Sequence, residues 1–236
     1  ISATNAGGSG GIGDSNLQVS EIPEASEENE GAIVQYTGTD TDEFKKGYFY
    51  RSVVDRVYAM DSLTTTGGYA TTSLPLKANY KIEMKVKLNT YTSGAHFFNS
   101  SGNSNYYCLR VYNGYYSYGN NNSVTTSSIA YTTGTELVLT YNDDEGNITV
   151  NDSIIATGIA TPSAYGNLQL FNNSSKMTFY YCKVWDKTTG ELVAHYLPVS
   201  FDGITTIYDI INNIAARWTT YSSITAGTIE TNLTSY

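Results

Sequence analysis

The chain has few of the residues on which several classes of protein depend. Its 236 residues include two cysteines, Cys108 and Cys182, and two histidines. Two cysteines are too few for a disulfide framework or a zinc site. We therefore expect two small buried thiols, with a cross-strand disulfide as the alternative. No His-Glu-x-x-His motif is present, so this zinc-protease signature is missing.

Positive charge and long apolar runs are also scarce. Lys and Arg number 13 against 22 Asp and Glu, which gives a formal net charge of -9. An acidic surface repels phosphate groups and argues against nucleic acid and anionic membranes as partners. No stretch has the length of a transmembrane helix and no signal-peptide core is visible, so we expect no membrane insertion. The first residue is Ile1 and not Met, so we expect a processed or truncated chain.

Tyrosine and glycine are abundant, with 22 and 21 residues. Tyrosine suits pleated strands, and glycine suits the turns between them. In the clearest strand, residues 80–88, apolar side chains alternate with Lys81, Glu83, Lys85 and Lys87, which predicts a half-buried antiparallel strand. We expect these outer charges to discourage edge-to-edge pairing. Further strands are predicted at residues 106–112, 136–141, 148–150, 168–171, 177–185 and 192–199.

Composition divides the chain into three parts. Residues 1–20 have the glycine content of a flexible linker. A glycine pattern there resembles a dinucleotide fingerprint, but no strand–helix unit surrounds it, so we expect no cofactor. Residues 21–55 hold an acidic run and two strand candidates. They predict a small β-hairpin unit for attachment or oligomerisation, because a lone hairpin is marginal in water. Residues 56–236 carry the run of short strands that predicts an all-β sandwich or barrel.

Two segments each fit more than one structure. In residues 207–218 the isoleucines and Trp218 fit the stripe of an amphipathic helix, and the same residues fit two strands around Asn212 and Asn213. Residues 143–147 have oxygen ligands of the kind that Ca²⁺ binds. We favour a plain hairpin turn there, because these residues are also common turn formers, and we expect no metal site.

The candidate binding residues cluster in a stretch rich in Tyr, Asn, Ser and Gly, residues 103–122. Tyrosine offers wide contact area at low entropy cost, and aromatic faces also suit sugar rings. Alternation places one set of side chains on the same face of a strand, the candidate ligand face: Tyr106, Cys108, Arg110 and Tyr112. His96 either borders this surface or packs inside. The alternative for the whole stretch is ordinary sheet surface. The candidate ligand-binding residues are Tyr106, Arg110, Tyr112, Tyr115, Tyr116, Tyr118 and His96.

The order of strands carries a family resemblance. The stretches that carry it are Pro75–Met84, Leu137–Asn151 and Met177–Val199, the last of which reads as strand, short turn and strand. Together they resemble the concanavalin A-like lectin/glucanase superfamily, in its laminin-G-like branch. The resemblance implies a jelly roll of two antiparallel sheets that binds sugars or proteins on the concave sheet or rim loops, and it favours a hairpin at residues 207–218.

The enzymatic branch of that superfamily carries Glu-x-Asp-x-x-Glu on one strand. This chain has no such motif, and glycoside hydrolysis normally needs two carboxyl groups at a defined separation. On a strand, residues i and i+2 face the same way, so a pair of acids on one strand would be visible. The sequence therefore predicts a protein that is not an enzyme.

The stretches Glu21–Ser26, Gly31–Gly38 and Gly47–Tyr50 resemble a short module recurrent in phage tail and fibre proteins. The resemblance implies a bacteriophage virion structural protein at the virion surface, a fibre or fibre-like appendage that displays the jelly roll. Its partners would be copies of itself in a homo-oligomer, other virion proteins and bacterial surface glycans. The alternative is a non-catalytic carbohydrate-binding module of a bacterial secreted or cell-surface protein.

Overall fold

The structure is a computed structural model that describes most of the chain after residue 56. All described residues belong to the second of two compact units, Asp55–Tyr236. The predicted linker 1–20 and hairpin unit 21–55 lie outside the described residues. The described ranges are 57–91, 93–102, 107–120, 123–159, 166–172, 176–201, 203–218 and 223–232.

The larger of two sheets has twelve described strands, all paired antiparallel. Its main path runs β11-β10-β9-β4-β13-β14-β1-β19; β15 continues from β14 to β16, and β2 lies between β13 and β18. The strands are β1 (Val57–Met60), β2 (Leu63–Thr66), β4 (Tyr80–Leu88), β9 (Glu136–Tyr141), β10 (Ile148–Val150), β11 (Ser153–Ala156), β13 (Lys176–Asp186), β14 (Glu191–Phe201), β15 (Ile204–Asp209), β16 (Ile214–Ala215), β18 (Ser223–Ala226) and β19 (Ile229–Asn232).

The smaller sheet has seven described strands in the order β17-β3-β12-β5-β6-β7-β8, also antiparallel. The strands are β3 (Ala70–Pro75), β5 (Ala95–Ser100), β6 (Tyr107–Tyr112), β7 (Tyr115–Asn120), β8 (Ser123–Ala130), β12 (Asn167–Asn172) and β17 (Arg217–Trp218).

The core lies between the two sheets. Tyr141 of the larger sheet packs against Phe98 and Tyr107 of the smaller one, with ring centroids 5.6 and 4.8 Å apart. Both tyrosine hydroxyls are satisfied inside: Tyr107 donates to the Tyr80 carbonyl at 2.5 Å and Tyr141 to the Gly119 carbonyl at 2.6 Å. Burying a tyrosine without a partner for its hydroxyl is costly. These two bonds therefore favour the observed alignment of one sheet on the other. The predicted two-sheet antiparallel sandwich is confirmed.

The alternating strand predicted at residues 80–88 is β4, and its alternate side chains are buried in the core as expected. The expectation about its outer charges needs correction. β4 is not an edge strand, because it is paired with β9 on one side and β13 on the other. Lys81, Glu83 and Lys85 instead contact side chains of those neighbours.

Residues 207–218 are extended, and the helical alternative is wrong. β15 and β16 form a hairpin through the turn 210–213, in which Asn213 has φ 54°. Two isoleucines of the supposed helical stripe, Ile211 and Ile214, are 45% and 41% exposed, so they do not form one buried face. Within the described residues, no helix is long and apolar enough to cross a membrane.

Candidate binding site

The outer face of the larger sheet is occupied by its own side chains. Lys81 lies 5.1 Å from the centroid of the Trp185 ring, and Lys85 lies 4.7 Å from that of Tyr180. The Tyr180 hydroxyl donates to Glu136 at 2.8 Å, and Lys85 pairs with the same carboxylate at 2.9 Å. Cation–π contacts and hydrogen bonds therefore already use these rings and charges.

The same pattern continues along β13. Lys183 lies 5.0 Å from the Tyr181 ring centroid, and the Tyr181 hydroxyl donates to Glu83 at 3.0 Å. The rings, lysines and carboxylates of this face thus pair with one another.

On the smaller sheet, β6 divides its side chains as the sequence predicts. Tyr107, Leu109 and Val111 lie in the core, and Arg110 and Tyr112 point to the outer face. Tyr112 is 43% exposed, and Arg110 is half-buried with its guanidinium carbon 5.3 Å from the Tyr112 ring centroid. The strand thus displays a cation and an aromatic ring side by side.

A tight hairpin places a second tyrosine beside the first. Tyr115 pairs with Tyr112 across the turn of Asn113 and Gly114 and is also 43% exposed. Both turn residues have positive φ, 50° and 84°, as a type I′ turn requires. The Gly114 amide donates to the hydroxyl of Tyr91 at 2.9 Å, which brings a third exposed ring to this end of the sheet.

We call Tyr91, Tyr112 and Tyr115 the aromatic rim. Sequence reasoning missed Tyr91, which lies outside the Tyr-rich stretch. The Asn-Gly pair between Tyr112 and Tyr115 marks a two-residue hairpin that puts these two side chains on one face, whereas no local pattern points to Tyr91.

His96 and Asn99 of β5 and Arg110 of the neighbouring β6 make up what we call the polar cluster. His96 pairs in register with Arg110 across β5 and β6. His96 is 7% exposed and Asn99 is fully buried. Among the described residues, the two ring nitrogens of His96, both amide atoms of Asn99 and Nε of Arg110 have no hydrogen-bond partner. Buried polar atoms of this kind each cost on the order of 1–3 kcal/mol when unsatisfied, so several in one place point to a site.

The imidazole of His96 is neutral at physiological pH. Burial, and next the charge of Arg110, lower the pKa of His96 to about 4, and a weaker backbone interaction with Gly94 acts in the opposite direction. A neutral imidazole offers one donor and one acceptor. Together the polar cluster therefore presents both hydrogen-bonding roles beside a fixed positive charge.

Local irregularity in the strands produces this arrangement. The register of β5 shifts between His96 and Phe98, so Phe97 and Phe98 are both in the core while His96 lies opposite Arg110. A bulge re-aims side chains in this way and is common near functional sites. Next to it on β12, the buried Phe171 has φ 64°, a strained value for a bulky residue.

The structure places the remaining predicted residues elsewhere. Tyr116 is 3% exposed and packs in the core, and Tyr118 is half-buried against the core. Neither lies on the face of Arg110 and Tyr112, which corrects the prediction for both. The sequence cluster of tyrosines spans two strands whose inward positions are also tyrosine. Tyr106 lies outside the described residues.

Tyr116 lines an open groove between the sheets near β8 and β11. The groove has a volume of about 320 Å³, and Ile129, Leu137 and Val150 also line it. Thr132, Thr135, Asn151 and Ser153 also line the groove, and none of its lining residues is charged; we do not assign a ligand to it.

Both cysteines are free and buried, as predicted. Cys108 lies in the smaller sheet and Cys182 in the larger one. The alternative of a cross-strand disulfide is therefore wrong. Burial raises the pKa of Cys108 to about 12, which keeps this thiol protonated and unreactive.

Residues 143–147 form the turn between β9 and β10. The Asp143 carboxylate accepts hydrogen bonds from the backbone amides of Glu145 and Asn147 at 3.0 and 2.7 Å, so it serves the turn itself. Lys81 pairs with Asp144 at 3.1 Å. In the described part of the chain, no group of three or more His, Cys, Asp or Glu side chains is placed to hold a metal ion.

Comparison with known proteins relates the chain to others by structure alone. No family model and no curated protein matches it. A crystal structure described as a "putative carbohydrate binding protein" from Bacteroides ovatus ATCC 8483 matches with a TM-score of 0.53 and 13% identity. The chain has the two-sheet fold of that protein. The match covers 74% of this chain and 61% of the other, so the chain spans less than two thirds of its length.

Two further structures match more weakly. A botulinum neurotoxin type C, described as dependent on two ganglioside molecules for cell entry, matches with a TM-score of 0.36 and 10% identity. That match covers 55% of this chain and 47% of the neurotoxin chain. A Trypanosoma rangeli sialidase in complex with 2,3-difluorosialic acid matches with a TM-score of 0.35 and 10% identity. That match covers 56% of this chain and 25% of the sialidase chain. At these scores, neither match bears on function.

Proposed function

We propose that this chain is a non-catalytic carbohydrate-binding module that binds glycans on the outer face of its seven-stranded sheet. The observation that carries the proposal is the aromatic rim beside a polar cluster whose buried atoms lack partners. Sugar rings stack their C–H groups on exposed aromatic faces while their hydroxyls bond to neighbouring polar groups. The shared fold with the Bacteroides ovatus protein supports the same function.

A non-catalytic role fits the composition of this surface. The seven described strands of the sheet contain no Asp or Glu, and glycoside hydrolysis normally uses two such residues. The side chains at the site can bind, orient and stack on a ligand. They include no pair of carboxyl groups that could act as acid and base.

The experiment is a glycan array with the purified chain, followed by calorimetric titration of the glycans that bind. We expect Tyr112→Ala/Tyr115→Ala to weaken binding by roughly tenfold or more, on the scale of the about 1–3 kcal/mol that a nucleobase gains by stacking on an aromatic side chain. The measurement is the dissociation constant of each variant.

The matched control is Tyr180→Ala/Tyr181→Ala, which removes two tyrosines from the outer face of the other sheet. Both hydroxyls are already hydrogen-bonded to glutamates there and the rings lie on the other sheet, so binding should stay within about twofold, the usual effect of a surface change of a few tenths of a kcal/mol. Unchanged binding in the Tyr112/Tyr115 variant, or an equal loss in the control, would show that the site has been misplaced.

The fibre role, the virion partners and a location at the virion surface rest on residues 21–55. Those residues are outside the described part of the chain, so these assignments stay predictions. A glycan-binding module is compatible with either setting, because a fibre can also bind host glycans.

A further inference from the structure

Negative charge is missing from the smaller sheet. Its seven described strands contain no Asp or Glu, and the sequence has none between Glu83 and Glu136, although the chain has 22 in all. The charged side chains of these strands are Arg110 on β6 and Arg217 on β17. The outer face of this sheet is therefore locally cationic on a protein that is acidic overall.

Arg110 is held without an opposite charge. In the part of the chain that the structure describes, no carboxylate pairs with it, and its Nε is buried without a hydrogen-bond partner. The ring of Tyr112 supports one face of the guanidinium. A planar fork of N–H donors fixed in this way matches a carboxylate, which accepts two parallel hydrogen bonds.

His96 and Asn99 differ from Arg110 in the groups they require. A neutral imidazole and a carboxamide each combine donors with acceptors, whereas a guanidinium only donates. Hydroxyl groups also combine both roles. A ligand that carries hydroxyls next to an anionic group therefore meets both kinds of requirement.

We infer that this surface recognises a carboxylate-bearing sugar, with Arg110 holding the carboxylate and the adjacent His96 holding a neighbouring hydroxyl. The inference rests on the proposed function and deepens it by naming the class of ligand. The net charge of the chain would repel such a ligand in general, so binding depends on the local cation at Arg110.

The test uses matched pairs of glycans on the unmodified chain. Oligogalacturonate, oligoglucuronate and oligomannuronate are each compared with their carboxyl-reduced forms, which keep the hydroxyls and lose the charge. We expect at least one acidic glycan to bind, and its reduced form to bind roughly tenfold to a hundredfold more weakly, the usual range for losing a charge-assisted hydrogen bond. Binding of the acidic form should also weaken between about 0.05 and 0.5 M NaCl.

Two variants test which arginine is responsible for the preference for acidic glycans. Arg110→Gln should lose the preference for the acidic form. Arg217→Gln removes the same charge from the same sheet, and β17 lies four strands away from β6, so it should keep the preference. Thermal unfolding of both variants checks that each is folded.

The possible failures are distinguishable. Equal or tighter binding of the reduced glycans, with no effect of Arg110→Gln, overturns the inference and leaves carbohydrate binding in place. Binding of neutral glycans alone does the same. If neither the acidic pairs nor the wider glycan array gives any binding, the proposed function fails together with the inference.

Discussion

At the scale of single residues, His96 is the side chain whose surroundings most constrain its chemistry. Its folded pKa of about 4 lies below the ordinary histidine value of 6.5. The unfolded chain therefore takes up a proton between pH 6.5 and 4 while the folded chain does not. The stabilisation is fully present above pH 6.5 and is lost as pH falls through this window.

We expect the free energy of unfolding to fall by roughly 2 kcal/mol between pH 7 and 5 through His96 alone. Urea unfolding at a series of pH values measures this slope. His96→Gln should flatten it, because a glutamine does not titrate. Other groups also titrate in this range, so the slope of the variant is compared with that of the unmodified chain.

His195→Gln is the control for this experiment. Burial also lowers the pKa of His195, with Lys183 adding to the effect and Asp209 opposing it, but His195 is only half-buried. We expect a smaller change of slope in this variant. A pH slope that is the same with and without His96 would mean that this imidazole is solvated in the folded chain.

At the scale of elements, the hairpin of β15 and β16 depends on one buried carboxylate. Asp209 is 1% exposed, and its Oδ1 accepts from the backbone amides of His195, Ile211 and Asn212 at 3.1, 3.0 and 3.4 Å. It thereby satisfies amides of both the turn and the neighbouring β14. The local hydrogen bonds of Asp209 explain why the chain turns here and does not continue as a helix.

Asp209→Ala should destabilise the fold by roughly 1–3 kcal/mol or more, because it leaves buried backbone amides without a partner. The midpoint of urea unfolding gives the change. Asp144→Ala is the control, since Asp144 is 79% exposed and makes a surface ion pair with Lys81, worth about 0–1 kcal/mol. A loss for Asp209→Ala no larger than that for Asp144→Ala would show that water replaces the carboxylate.

Charge patterning also acts at this scale. The alternating lysines of β4 predicted a strand correctly but not its place in the sheet. Period-two alternation reports which side chains are buried, whereas the edge or centre of a sheet depends on distant strands that pair with it. Here β9 and β13 cover both edges of β4, and their acidic and aromatic side chains contact its lysines.

At the scale of the whole molecule, the fibre hypothesis makes a prediction about assembly. If residues 21–55 serve oligomerisation, the full chain should be an oligomer in solution. Light scattering coupled to size exclusion measures the mass directly against the 25.8 kDa of one chain. A stable monomer across the accessible concentration range would argue strongly against the fibre role and favour a module of a secreted or surface protein.

The sequence by itself determined the class of fold and the orientation of individual strands. The inward side chains of β4 and β6 follow from alternation, which is a local property of an extended chain. Outward exposure of Arg110 and Tyr112 was predictable for the same reason. The burial of both cysteines followed from the ordinary preference of free thiols.

Only the tertiary structure decided which of these residues meet. His96 and Arg110 are brought together by the pairing of β5 with β6, and a bulge at Phe97 sets which face His96 takes. Tyr116 turned inward because the register of β7 is fixed by its partners. The absence of carboxylates from the described strands of the smaller sheet became visible only after the strands were assigned to two sheets. Pairing between distant segments is not encoded in any local pattern.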